Sequence, residues 1–210
     1  MRTVKTIFFA LVAFSAVLPG SGKDKPGSQG ASDTYNYTDY NRRALQSHFP
    51  DVVLLTQNNQ RVRFYSDLIR DKTVVIQFFF TRCEALCPMT TPTLARVHHD
   101  LNRRAAGKVT FLSITVDPDH DDPAVLKRYS SSFRPELGWY FLTGKKQDVD
   151  LIRKQLGVYD PDEKKVQHMN VLTIGKEPSA VWMSMEALAK PNDIAKTILR
   201  VLAWPTASKP

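Results

Sequence analysis

The only two cysteines of this 210-residue chain, Cys83 and Cys87, stand in Thr81-Arg82-Cys83-Glu84-Ala85-Leu86-Cys87-Pro88 with three residues between them. Two thiols at this spacing suit reversible redox chemistry, in which a thiolate is the reactive form and its supply depends on local electrostatics. A structural staple is the weaker reading, because so short a loop takes little entropy from the unfolded chain. In a regular helix, Cβ atoms four residues apart lie roughly 5–6 Å from each other, whereas a disulfide needs about 3.5–4.5 Å. Closing the pair therefore requires a distorted first turn, which predicts a strained and readily reduced bond.

The flanking sequence says what must hold these thiols in place. Before them runs Val74-Val75-Ile76-Gln77-Phe78-Phe79-Phe80, a stretch with the character of a buried central strand. After them, Leu94, Val97 and Leu101 recur at helical spacing. The pair thus sits where a buried strand gives way to a helix, and the unpaired N–H groups and dipole of a helix start favour a thiolate.

A strand, Cys-x-x-x-Cys-Pro and a helix, followed by Val116-Asp117-Pro118 before another helix and by His168 entering a strand, resembles the Sco/SenC family. These are thioredoxin-like copper proteins that help assemble cytochrome c oxidase. The resemblance runs from about Phe49 to about Leu202 and implies an α/β, thioredoxin-like fold with an N-terminal β-hairpin extension. It also implies that Cys83, Cys87 and His168 bind copper, with Asp117 facing the cysteine loop behind them. Two thiolates and one imidazole are a soft, low-coordinate set that suits Cu(I) and holds Cu(II) when a further ligand completes the plane. Two positions depart from the family pattern. Glu84-Ala85 stands where Pro-Asp is usual after the first cysteine, and Gln167 stands where Asp usually precedes the histidine. The ligands are retained, while the acidity and stiffness of the loop differ.

Upstream, Met1 to about Gly22 carries Arg2 and Lys5 ahead of the apolar run Ile7–Leu18. Twelve residues span roughly 18 Å as a helix, short of a hydrocarbon core of roughly 30 Å. The run therefore reads as a secretory signal peptide rather than a membrane span. No clean Ala-x-Ala site follows, so cleavage and retention as an inner-membrane anchor both remain open; no cysteine follows either, which argues against a lipoprotein anchor. The expected location is the periplasm, an oxidising compartment where two thiols default to a disulfide.

Residues 23–47, rich in Gly, Ser, Asp, Asn and Tyr, read as a flexible linker. Residues 48–204 read as the domain and 205–210 as a tail. Within the domain, Val52–Thr56 and Arg61–Phe64 pattern as a hairpin. Strands are expected over Val109–Val116 and Trp139–Leu142, with a terminal hairpin over His168–Ile174 and Ser179–Met185. Helices are expected from the cysteine motif to about Ala106, after Asp122-Pro123, over Asp148–Leu156 and over Asn192–Leu202.

The formal charge of +8 falls to +6 without Arg2 and Lys5, and the basic residues are scattered rather than gathered with aromatics. That excludes a nucleic-acid surface. The run Asp117-Pro118-Asp119-His120-Asp121-Asp122 lacks the glycine and the closing glutamate of a calcium loop. His98, His99 and His120 read as solvated, and Met89 and Met169 as packing residues. Met183 and Met185 read as ordinary core patterning.

The leading reading is a periplasmic copper-binding metallochaperone. It would deliver copper to, or reduce the cysteines of, the binuclear copper site of cytochrome c oxidase, or act on another periplasmic copper or thiol protein. The alternative is a thiol-disulfide oxidoreductase acting on partner disulfides, which has no need of His168. A peroxidase-like thiol protein is least favoured, since no Thr-x-x-Cys arrangement with an activating arginine beyond Arg82 is present.

Overall fold

The computed structural model describes residues 49–84, 87–105, 107–159, 161 and 170–206. The leader and the linker lie outside them. Among the described residues no helix is long and apolar enough to cross a membrane.

Among the described residues seven strands form one mixed sheet: β1 Val53–Thr56, β2 Arg61–Arg63, β3 Thr73–Phe79, β4 Val109–Thr115, β5 Trp139–Thr143, β6 Val171–Lys176 and β7 Val181–Glu186. Their order across the sheet is β2-β1-β5-β4-β3-β6-β7. Strand β3 runs parallel to β4, and β4 to β5; β6 and β7 add antiparallel on the other side of β3. Every residue of β3 is buried, as expected of a central strand covered on both faces. The β1–β2 hairpin turns through Asn59, whose φ of 59° is a left-handed conformation that asparagine tolerates.

Among the described residues four α-helices, α1 Cys87–Ala105, α2 Pro123–Ser131, α3 Lys146–Gln155 and α4 Pro191–Leu202, cover the sheet. The period-2 alternation of β3 divides the core between the two faces. Val75 and Phe79 join Leu94 and Val97 of α1, Leu126 of α2 and Ile194 and Ile198 of α4. Val74, Ile76 and Phe78 join Leu68, Ile69 and the α3 residues Val149 and Ile152. Burying each such large side chain contributes about 1.5–3 kcal/mol, so the sheet is anchored from both sides at the strand that leads to the thiols.

The helix ends follow the expected chemistry. Asp122 caps α2 by accepting the Val125 N–H at 2.7 Å, with Pro123 at the first helical position. Gly157 takes φ 68° after α3, and the Val158 N–H reaches back to the Arg153 carbonyl at 3.0 Å. Helix α3 starts two residues earlier than its apolar pattern suggested, because Lys146 and Gln147 extend it on the polar side.

Between β2 and β3 the chain makes a wide π-type turn over Phe64–Ile69. It is pinned from far along the chain: the Tyr65 hydroxyl donates to one oxygen of buried Glu177 at 2.8 Å, and the Asp71 N–H to the other at 2.9 Å.

Candidate metal and thiol site

Strand β3 delivers the chain to the carboxyl end of the parallel strands, where it turns at once. The Cys83 N–H donates to the Phe80 carbonyl at 3.2 Å, so Phe80–Cys83 is a tight turn and Cys83 lies outside the helix. Cys87 is the first residue of α1. The helical i, i+4 spacing therefore does not govern this pair: the loop sets how closely the sulfurs approach, and the strain expected from a distorted helical turn loses its premise.

Both cysteines are present as thiols, Cys83 7% exposed and Cys87 3% exposed, and each belongs to the same buried core cluster. Burial, and next the hydrogen bond to Cys83, push the Cys87 thiol up to about 12, against a weaker downward pull from backbone groups. The helix start does not make Cys87 a ready thiolate. Desolvation outweighs the dipole here because the sulfur is packed into the core.

The core beside the sulfurs is aromatic. Tyr129 of α2 stacks on Phe79 with ring centroids 5.2 Å apart, and its hydroxyl donates to Thr91 Oγ1 of α1 at 3.1 Å. Burial pushes this phenol up to about 12, and the nearby sulfurs add to the rise. Tyr129 thus joins α2 to the N-terminal half of the cysteine helix.

Asp117 follows β4 at the same end of the sheet. Its carboxylate is engaged by Arg82 Nη2 at 3.0 Å and by His120 Nδ1 at 2.8 Å. It therefore reaches the loop through Arg82, the residue before Cys83. Asp121 lies deeper and accepts from the N–H and hydroxyl of Thr81 and from the hydroxyl of Thr115. The acidic run is thereby divided among a loop contact, an interior acceptor and a helix cap.

His168 lies outside the described residues, as do Gln167 and Met169. Leu172 of β6 pairs with Gln77 of β3, so β6 starts at the sheet end where β3 runs into the thiol loop. Among the described residues no three His, Cys, Asp or Glu side chains form a metal-binding group.

The SCO1/SenC family model matches residues 38–203. The chain belongs to the SCO1/SenC family. It is similar to the SCO2-like protein of Rickettsia felis, with 32% identity over 111 residues that cover 52% of this chain and 51% of the relative. It spans about half the length of the curated relatives it matches. Its fold is that of yeast Sco1, solved with copper bound: TM-score 0.61 and 22% identity, over 75% of this chain and 94% of the yeast chain. It is also that of BsSco, a member of the Sco family of cytochrome c oxidase assembly proteins in which a disulfide switch has been identified. That match has a TM-score of 0.61 and 21% identity, over 73% of this chain and 92% of BsSco. The thioredoxin-like architecture of SCO1/SenC proteins is thus shown by the fold itself.

Several other residues of this SCO1/SenC domain differ from their sequence reading. His98 is buried rather than solvated, packed against Phe111 and Trp139 at 4.8 and 5.3 Å, because its position on α1 faces the sheet. His99, one residue on, points outward to Glu136 at 2.7 Å. Met89, read as packing, is 51% exposed on the first turn of α1. Asp121 was not singled out. Its signal, a carboxylate four residues after Asp117 and just before the α2 cap, is hidden in a run that looks uniformly solvated.

Proposed function

We propose that this protein binds copper through Cys83, Cys87 and His168. In this reading it works outside the inner membrane, delivering copper to, or reducing the cysteines of, the binuclear copper site of cytochrome c oxidase. The observation that carries the reading is the pair of buried thiols at the start of α1. The donor set fits the cargo, since two soft sulfurs in a dry setting favour Cu(I) over harder ions. Binding must release the thiol protons, and burial makes that costly at Cys87, so affinity rises with pH. His168 belongs to the segment that leads into β6, which supports its approach to the loop. Asp117 steadies the loop from outside through Arg82.

The test is an anaerobic Cu(I) titration of the reduced protein with thiol counting. The reading expects one copper per chain and protection of both thiols from alkylation. Two thiols that stay alkylatable at saturating copper would overturn it.

A second reading rests on the same pair of thiols. A dithiol can give two electrons and two protons to a partner disulfide: one thiolate attacks a partner sulfur, and the second thiol resolves the mixed disulfide. The protein is left with the Cys83–Cys87 disulfide and the partner with two thiols. Because both sulfurs are buried, the exchange requires the loop to move. A Cys87→Ser variant that accumulates a mixed disulfide on Cys83 supports this route.

A further inference from the structure

Asp121 is completely buried, and all its hydrogen bonds to the thiol side of the site go to one residue. The Thr81 N–H donates to Oδ2 at 3.0 Å, and the Thr81 hydroxyl donates to Oδ1. The Thr115 hydroxyl, at the end of β4, donates to Oδ2 and accepts the Asp117 N–H at 3.0 Å. Thr81 stands two residues before Cys83, inside the turn closed by the Cys83 N–H and the Phe80 carbonyl. We propose that Asp121 is a positioning residue for the thiol pair. Its buried carboxylate anchors Thr81 and so holds the Phe80–Cys83 turn in place, which keeps the Cys83 sulfur withdrawn from solvent beside Cys87.

The chemistry of the three donors explains the residue type. A carboxylate offers acceptors on both oxygens and no donor. An asparagine in the same place would set an N–H against one of the hydroxyl or amide donors, and that buried donor would lose its partner. Serine or threonine at 121 would not span from β4 to Thr81 with two acceptor atoms. Asp117 grips the adjacent residue, Arg82, from the solvent side. The turn between β4 and α2 therefore holds two consecutive residues of the loop, one from within and one from without. Only the inner contact is shielded from water, and only it is expected to control whether the sulfurs are exposed.

The copper arm of the test rests on the proposed function; the thiol arm does not. The variants are Asp121→Asn, Thr81→Val, which removes the hydroxyl donor, and Thr81→Ser, which keeps both donors. The readout is the alkylation rate of the reduced, metal-free full chain, measured with increasing urea below the unfolding transition. Asp121→Asn is expected to speed alkylation about tenfold, the factor that one buried unpaired donor carries. Thr81→Val should speed it less, and Thr81→Ser should match the wild type. The gain should be independent of low urea, the mark of local opening rather than global unfolding. In the copper arm, Cu(I) affinity of Asp121→Asn should fall about 10–100-fold, as for other residues that orient ligands.

Wild-type alkylation rates in the variants, or a gain that only tracks lost global stability, would overturn the inference. If Asp121→Asn does not fold, Thr81→Val decides the same question. A wild-type protein that fails to bind Cu(I) would contradict the proposed function and leave the thiol arm to judge Asp121.

Discussion

Arg82 and Asp117 form an ion pair of 3.0 Å that ties the residue before Cys83 to the end of β4. Arg82 is largely exposed, so the pair itself is worth less than about 1 kcal/mol. Burial alone would raise the Asp117 carboxyl, but hydrogen bonds from His120 and Arg82 outweigh it and hold the group below its ordinary value of 3.8. A lowered carboxyl stabilises the fold above its unfolded value, and that contribution is lost as pH falls through the folded value. Asp117→Asn should therefore lower the urea midpoint slightly at pH 7, and the difference should disappear in strong acid. A mutant that is equally weakened at both pH values would show that the charge is not what Asp117 contributes.

His98, on the buried face of α1, has a pH dependence of its own. Burial lowers its imidazole below the ordinary value of 6.5, against an upward pull from Glu136. The folded protein keeps the ring neutral while the unfolded chain protonates it, so stability is full above pH 6.5 and declines as pH falls below it. The decline from one such group is at most about 1.4 kcal/mol per pH unit. His98→Leu should flatten the melting temperature between pH 7 and 5. Parallel profiles for wild type and mutant would assign that slope elsewhere.

Gly175 of β6 lies under Trp182 of β7. A Cβ at this position would sit 2.3 Å from the Trp182 ring carbons, and that ring also packs on Phe49 at 4.7 Å between centroids. Gly175→Ala must push the indole aside and should cost about 1–3 kcal/mol, as overpacking does. Denaturant unfolding would show this, and an unchanged midpoint would mean that Trp182 moves without penalty.

The elements around the thiols were legible because their signals are local. Val74–Phe79 could hardly be other than a buried strand, and Asp122-Pro123 announced α2 through capping chemistry. What the sequence hid was set by tertiary placement. Adjacent histidines look alike until α1 docks and buries His98 while leaving His99 in solvent. Asp121 looks like its neighbours until β4 ends beside Thr81. Cys83 looks helical by spacing, yet a turn at Phe80 places it before the helix. The roles of Tyr65 and Glu177 depend on a contact across 112 positions, which no local pattern announces.

Two buried thiols three residues apart in one core cluster predict a reversible disulfide. Mild oxidation of the metal-free protein should remove two hydrogens, seen by mass spectrometry after alkylation, and dithiothreitol should restore both thiols. Thiols that remain alkylatable after oxidation would remove redox exchange from the function.

The three-ligand copper reading stands or falls with His168. In His168→Ala the two sulfurs are untouched, so the disulfide should form much as in the wild type. Cu(II) should suffer most, since a neutral imidazole is a good ligand for it and thiolates alone tend to reduce it. The direct measurement is the absorption spectrum and lifetime of the Cu(II) complex, wild type against His168→Ala, with Cu(I) competition in parallel. The account predicts a weak or short-lived coloured complex in the variant and a lower, but not abolished, Cu(I) affinity. A variant that binds both ions as the wild type does would contradict it.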